Sequence, residues 1–387
     1  MAVARRIHYA IVYLLSNQIL QENSYIGVFM KILFAFDKPE TDPSPYVRTI
    51  MYEIHKRAPE WKIDAGIKLF WSDQCFSYDI VHIMFPHFLL LQHNSPSERH
   101  SSEELANHLR LLQQKGVLIV STCHNLRPHY NDDSDAIASY DLVYQFSTMI
   151  FHLGPYSLEQ GKKLYPQAQH VLLEHPVYDY EFPYIPTQKE AQEKLGLNPS
   201  YRYILCFGAF RSDEERNLVV KVSKAFKSQR VRILAPSFYR VRNRRNKVIV
   251  MAQWCKKTFY KLRYPTICNR GDFVPPSLLP FYLKACDIAL LQRLHILNSG
   301  NLPLNYYFGN VVVGPRIGNV GPILQTTGNP TFEPYQDYSV MKAIQDGFEL
   351  VKQGQGKRNR EYALQHWTTD TIGAQQYAYY QFLMKQN

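Results

Sequence analysis

The chain has 387 residues, 45% of them hydrophobic and 20% charged, the composition of a globular protein with core enough for two or three domains. It contains no run of about 18 apolar residues, which excludes a membrane-spanning helix. Its net charge of +11 is unevenly placed: no acidic residue lies between Glu215 and Asp272, that window holds sixteen Lys or Arg, and the remaining 28 cations stand against all 33 acids. One basic face on a slightly acidic body suits phosphates, anionic lipid headgroups or nucleic acid. Cys75, Cys123, Cys206, Cys255, Cys268 and Cys286 show no C-x-x-C pairing and sit mostly in apolar runs, which points to a reducing compartment and no zinc site.

Residues 1–29 set Arg5 and Arg6 before an apolar run, as a signal peptide does, but His8, two tyrosines and Gln18 interrupt it and no small-residue cleavage site follows. They are expected to be an upstream extension, with Met30 the native start. Lys31 to Phe36 reads as the first strand and Asp37 to Pro45 as a loop at its C-terminal end, where ligands sit in open α/β sheets. Tyr46 to Arg57 has helical period. Ile63 to Phe70 reads as a second strand and Tyr78 to Pro86 as a third, with an aromatic loop behind it. Glu103 to Lys115 reads as a helix stopped by Gly116, and Val117 to Thr122 as a strand running into Cys123-His124-Asn125-Leu126-Arg127-Pro128-His129. Leu142 to Phe146 and Val171 to Glu174, with a helix between, complete a first domain.

Pro176, Pro183 and Pro186 mark a linker, and Thr187 to Glu190 a capping box. Tyr203 to Phe207 and Val231 to Ala235 are strands of a second domain; a basic, aromatic segment from 239 to 263 follows, and Ser277 is expected to cap a helix to Ala285. The most informative stretch runs from Asp287 to Gly321. A short apolar strand leads to a polar loop ending in Asn298-Ser299-Gly300-Asn301, a short helix from Leu302 to Phe308, and a strand at Val311 to Val313. Strand, small-residue loop, helix, strand is a βαβ unit, and free N–H groups in such a loop suit a phosphate or diphosphate. Tyr338 to Lys352 and Thr371 to Lys385 read as closing helices. The alternation implies α/β architecture with parallel sheets.

Six segments in this order carry a family likeness: Tyr78-Asp-Ile-Val-His-Ile, Thr122-Cys-His-Asn-Leu-Arg-Pro-His, His175-Pro-Val-Tyr, Glu190-Ala-Gln-Glu-Lys-Leu-Gly-Leu, Phe207-Gly-Ala-Phe-Arg, and Asn298-Ser-Gly with Phe308-Gly-Asn-Val-Val-Val. Together the chain resembles GT-B fold glycosyltransferases, in particular family 4-like enzymes of bacterial polysaccharide assembly. The resemblance implies two Rossmann-like domains facing each other across a cleft: an acceptor domain over 30–186, joined by the C-terminal helix 371–387, and a nucleotide-sugar domain over 187–370. It implies a hexosyltransferase-type activity, moving a sugar from a nucleotide-sugar donor to a glycan or lipid-linked saccharide in capsule or exopolysaccharide assembly, without metal or other cofactor.

Carried over by position, Arg211, helped by Arg216, matches the cation on the donor diphosphate; Asn298, Ser299, Gly300 and Asn301 match the donor loop. His124 matches the histidine that faces the transferred sugar, with Asn125 and His129 as acceptor-side candidates. Two departures stand out. Asp213, Glu214 and Glu215 occupy the neighbourhood of the family's lysine, and Asn298 with Leu304 or Asn305 lies where many relatives carry a glutamate pair. These departures leave open a degenerate relative that binds without catalysis; a third reading is a GT-B-like nucleotide-sugar epimerase, which would need no acceptor. Asn131 to Asp135 is read as a turn capping the next helix, not a metal motif, and His82 as a packed core histidine. The basic segment, including Arg242, Arg244, Arg245 and Lys247, is read as a face for an anionic membrane and not for nucleic acid. A cytoplasmic protein, peripheral on the inner face of the membrane, is expected.

Overall fold

Short aliphatic runs flanked by turn residues become β-strands, and amphipathic stretches between them become the crossover helices that parallel pairing demands. The structure, a computed structural model, describes residues 29–42, 45–90, 99–128, 133–239, 247–268, 271 and 274–386, with 247 and 248 by backbone only. In chain order the elements are β1 (Lys31–Phe34), α1 (Tyr46–Arg57), β2 (Lys62–Ala65), α2 (Ile67–Phe70), β3 (Ile80–Ile83), α3 (Ser102–Gln114), β4 (Leu118–Cys123), α4 (Ser134–Phe146), β5 (Met149–His152), α5 (Pro155–Leu164) and β6 (Gln169–Leu172). Then come α6 (Gln188–Lys194), β7 (Arg202–Leu205), α7 (Asp213–Ala225), β8 (Val231–Leu234), α8 (Lys247–Arg263), β9 (Ile267–Cys268), α9 (Leu279–Lys284) and β10 (Ile288–Leu290). The last are α10 (Asn301–Tyr307), β11 (Val311–Pro315), α11 (Val320–Thr326), β12 (Thr331–Phe332), α12 (Asp337–Lys352), α13 (Gln355–His366) and α14 (Thr369–Gln386).

The chain divides into two compact units. Unit 1 comprises the described residues up to Leu153, Ser157–Pro176 and the last helix from Thr369; unit 2 comprises Gly154–Tyr156 and Val177–Thr368. Residues after Pro176 go with unit 2 because Val177, Phe182 and Ile185 join its core. Each unit holds one six-stranded parallel sheet, in the orders β2-β1-β3-β4-β5-β6 and β12-β11-β10-β7-β8-β9. In unit 1 the order reverses between β1 and β3, and in unit 2 between β7 and β10. The crevice beyond the C-terminal strand ends at such a switch point is where open α/β sheets bind ligands.

The same device pins the register at both switch points. Asp79, one residue before β3, accepts from the Lys31 N–H at 2.7 Å and donates its own N–H to the Lys31 carbonyl at 2.9 Å. Asp287, one residue before β10, accepts from the Tyr203 N–H at 2.7 Å and donates to the Tyr203 carbonyl at 2.9 Å. Burial pushes the Asp287 carboxyl up, and the Tyr203 and Gln188 hydrogen bonds oppose it.

Several expectations are corrected. Ile63 to Phe70 is not one strand: Gly66 ends β2, and α2 follows. Leu142 to Phe146 is the end of α4, whose buried Ala136, Ser139, Tyr140, Val143 and Tyr144 recur at helical spacing; the strand is Met149–His152. Ser277 does not cap the following helix, which starts after a 3-10 turn with no side-chain cap. The capping box of Thr187 and Glu190 is present, with both hydrogen bonds made. Asp133 caps α4 and pairs with Arg99, and Asp135 accepts from Ser102. Of the cysteines, Cys255 is exposed and Cys268 half-buried; the other four are buried. Residues 1–28, His129, Asn131, Asp132, Arg242, Arg244 and Arg245 lie outside the described residues, as does the Lys247 side chain.

The last helix, α14, completes unit 1. Arg57 of α1 pairs with Asp370 at 2.7 Å, and Gly373 lets α14 close on Glu53, since a Cβ there would lie 2.4 Å from the Glu53 Cβ. Beneath, His82 of β3 bonds Thr122 Oγ1 at 2.8 Å and the Tyr380 hydroxyl, to which Gln376 donates at 2.8 Å. Burial pushes the His82 pKa down to about 3, so the packed imidazole is neutral.

Two outcomes are expected. Asp287→Ala should destabilise unit 2 by about 1.5–3 kcal/mol, the scale of a hydrogen bond involving a charged group, whereas Asp287→Asn keeps an accepting oxygen and should cost less; urea unfolding compares them. Because His82 stays neutral in the fold but titrates near 6.5 when unfolded, the unfolded state binds more protons below about pH 6.5. Stability should fall as pH drops from there toward about 3. Melting temperatures from neutral pH downward should fall less steeply for His82→Phe than for the parent chain.

Candidate functional site

In unit 2 the site is built from the loops at the switch point. After β7 the chain passes Gly208 in the left-handed region at φ 96°, where its missing Cβ leaves room for the Asn301 amide. Phe210 then turns inward against Phe238, 5.4 Å between ring centroids, and anchors the loop. Ser212 caps α7 by accepting from the Glu215 N–H, and the buried Glu215 carboxylate accepts from the Arg211 N–H at 2.8 Å. This fixes the Arg211 backbone and leaves its side chain exposed, its guanidinium without a partner among the described residues.

Arg216 behaves differently. Its guanidinium donates to the carbonyls of Ser212 at 2.9 Å, Phe210 at 3.2 Å and Phe238 at 3.3 Å, and pairs with Asp213 at 3.0 Å. It folds back over the loop and staples it.

The loop after β10 braces the loop after β7 with three hydrogen bonds to two carbonyls. Asn301 donates to the Phe207 carbonyl at 3.0 Å, Gln292 to the same oxygen at 3.3 Å, and Arg293 to the Ala209 carbonyl at 3.1 Å. On its other side Asn319, after β11, donates to Asn298 Oδ1 at 2.6 Å and to the Leu297 carbonyl at 2.8 Å. The structure thus brings Arg211, Asn298, Ser299, Gly300 and Asn301 onto one continuous rim. The N–H groups of Ser299, Gly300 and Asn301 meet no acceptor among the described residues. Three free N–H donors and two guanidiniums, Arg211 and Arg293, form a surface for an anion with several oxygens.

Leu304 and Asn305 do not join the rim. Both are buried, and Asn305 donates back to the Asn301 carbonyl at 2.7 Å and accepts from Asn310 at 2.9 Å. Arg293, Gln292 and Asn319 escaped the sequence reading. For Arg293 and Gln292 the signal was present, since both follow within three residues of a strand at the switch point.

In unit 1 the loops after β1, β3 and β4 gather aromatic rings. Phe36, Phe85 and Phe88 lie 5.5–6.3 Å apart between centroids. The His124 ring stacks on Phe85 at 4.6 Å and meets Tyr46 edge-on at 4.6 Å; Tyr46 also touches His175. Burial, then the neighbouring His175 and His82, holds the His124 pKa well below 6.5. It is therefore a neutral hydrogen-bonding group and not a cation near neutral pH. Asn125 is fixed through its carbonyl, which accepts from the Tyr144 hydroxyl at 2.6 Å. His87, beside Phe88, is hydrogen-bonded to the Tyr140 hydroxyl at 2.8 Å. Aromatic faces beside a few fixed polar groups suit the apolar face and hydroxyls of a sugar ring.

Comparison with protein-family models and with curated protein sequences returns no match. Comparison with solved structures does. Sucrose-phosphate synthase from Thermosynechococcus elongatus superposes with TM-score 0.70 at 13% identity, over 93% of this chain and 100% of that one. Anabaena HepE, solved in complex with UDP-glucose, superposes with TM-score 0.63 at 12% identity, over 92% of this chain and 100% of that one. A structure described as UDP-N-acetylglucosamine 2-epimerase from Listeria monocytogenes gives 0.55 at 12%, over 90% and 94%. With its two parallel six-stranded sheets and interleaved helices, the chain has the GT-B fold of these structures.

Proposed function

We propose that the chain is a glycosyltransferase of hexosyltransferase type that takes a sugar from a nucleotide-sugar and gives it to a hydroxyl of a glycan or lipid-linked saccharide in cell-surface polysaccharide assembly. The observation that carries this is the unit 2 rim, where exposed Arg211 and the free N–H groups of Ser299 to Asn301 meet at a topological switch point. In the reaction the acceptor oxygen bonds to the anomeric carbon, the bond from that carbon to the diphosphate breaks, the diphosphate carries away the electron pair, and the hydroxyl proton passes to the departing diphosphate or to water. Arg211 and Arg293 neutralise that growing charge, and the loop N–H groups orient the diphosphate. Arg216 keeps the loop in shape and does not itself hold the donor.

His124, neutral and of low basicity, supplies a hydrogen bond to the transferred sugar in preference to acting as a general base. The likeness to structures solved with UDP-glucose and named as a synthase supports a nucleotide-sugar donor. The lipid-linked form of the acceptor goes with a cytoplasmic protein working at the inner face of the membrane.

A second reading has its own observation. With Arg216 spent on carbonyls, and with Asn298 and the buried Leu304 or Asn305 standing where many relatives carry a glutamate pair, the chain has no carboxylate at those positions, which favours a nucleotide-sugar binder without turnover. Thermal shift against a panel of nucleotide-sugars, followed by product analysis with and without saccharide acceptors, separates the readings; conversion of the donor alone into its epimer would instead favour the epimerase.

Arg211→Ala should weaken nucleoside diphosphate binding by about 1.5–3 kcal/mol, and parent-like affinity in calorimetry would remove Arg211 from the donor site. His124→Ala should slow transfer at least about 100-fold, in the range of one lost transition-state hydrogen bond, while leaving diphosphate affinity unchanged. A fall in both together would place His124 in donor binding.

A further inference from the structure

Helix α8 turns a mixed stripe inward and an apolar stripe outward. At 3.6 residues per turn, its half-buried side chains Val250, Gln253, Lys257 and Tyr260 fall on one stripe, and Tyr260 packs there on Phe238 and Tyr239. The opposite stripe carries Met251, Cys255, Phe259 and Leu262. Met251, Phe259 and Leu262 are 64%, 61% and 77% exposed. A helix lying on a soluble domain ordinarily turns polar residues outward. Lys261 and Trp254 flank the outward stripe on one side, Lys256 and Arg263 on the other. Lys256, Lys261 and Arg263 pair with no carboxylate among the described residues, whereas Lys221, elsewhere in the same unit, pairs with Asp337 at 2.9 Å.

We infer that the outward face of α8 docks on an anionic lipid bilayer, with Met251, Phe259 and Leu262 entering the headgroup boundary and Lys256, Lys261 and Arg263 meeting lipid phosphates. The charge pattern selects this occupant. A protein partner large enough to cover the stripe would bring charges of both signs, yet no acid lies between Glu215 and Asp272 to answer its cations. A continuous negative surface satisfies the whole segment, and an apolar stripe edged by cations and a tryptophan is the pattern of an interfacial helix. The inference deepens the proposed function by giving a lipid-linked acceptor its meeting place, and it rests on that reading only for its purpose.

Trp254 supplies the measurement, because it is 62% exposed while Trp61 and Trp367 are buried and Trp71 is half-buried. The full chain is mixed with vesicles of equal parts phosphatidylglycerol and phosphatidylcholine, with vesicles of phosphatidylcholine alone, and with single-stranded polyuridylate. Anionic vesicles should shift Trp254 emission to the blue and carry the protein down on centrifugation, and added salt should reverse both. Trp254→Phe should lose the emission shift but still sediment. Joint replacement Met251→Ser, Phe259→Ser and Leu262→Ser should abolish binding. Lys256→Gln with Lys261→Gln and Arg263→Gln, which leaves the apolar stripe intact, should weaken it about a hundredfold. Nucleotide-sugar binding, measured in parallel, should survive both changes. No shift with anionic vesicles, an equal response to neutral ones, or a response to polyuridylate without one to vesicles would overturn the inference. Vesicle binding without nucleotide-sugar binding would uphold it and defeat the catalytic reading instead.

Discussion

Each unit depends on one carboxylate placed just ahead of a strand. Asp79 and Asp287 form the same two-way bond with a residue at the start of the neighbouring strand, Lys31, the first of β1, in one sheet and Tyr203, the second of β7, in the other. A parallel pair slipped by one residue would turn every side chain to the wrong face. The bond sets Ile80 opposite Ile32 and Ile288 opposite Ile204, and so decides where both strands stop. The loops that leave those strands carry the candidate chemistry, so their alignment is inherited from two aspartates at the far end of the sheet.

At the other end the protein uses polar groups to make a rigid rim. The buried Glu215 carboxylate, the Arg216 guanidinium and the side chains of Gln292, Arg293 and Asn301 all bond to loop backbone, and the Asn319 side chain bonds to that of Asn298. Buried polar groups are costly unless satisfied, and a satisfied network holds one geometry. Preorganised donors favour a site that binds charge without reorganising as the charge develops. Two of the three acids after Arg211, which stand where the family places a lysine, are explained by this economy. Glu215 is turned inward to hold the loop, and Asp213 is paired with the staple formed by Arg216.

Much of the fold was legible because local signals agreed with tertiary need. Pro45 and the spacing of Tyr46, Ile50, Glu53 and Ile54 mark α1, and three consecutive valines mark β11. Leu142 to Phe146 misled because the inward face of a helix and a short buried strand have the same apolar content over five residues. Helix α13 was missed for the opposite reason. Its buried face is Gln355, Asn359 and Ala363, and it docks by hydrogen bonds, Asn359 to the Asn310 carbonyl and Gln355 to the Thr327 carbonyl, each at 2.8 Å. Such a helix shows no hydrophobic period. In the candidate site, Arg211 was named through the family resemblance and the Ser299 to Asn301 loop through its small residues after a strand, and both lie in loops at the unit 2 switch point. That Arg216 would be consumed by carbonyls, and that Arg293 would share the rim, depended on where loops distant in sequence met.

Unit 1 is discontinuous in the chain: residues 177–368 intervene between its sixth strand and α14. During synthesis, unit 2 therefore has all of its sequence outside the ribosome before unit 1 has its closing helix. Until then the imidazole of His82 lacks Tyr380, the flank of α1 around Glu53 and Arg57 is bare, and the first-made half of the protein is the last to be sealed.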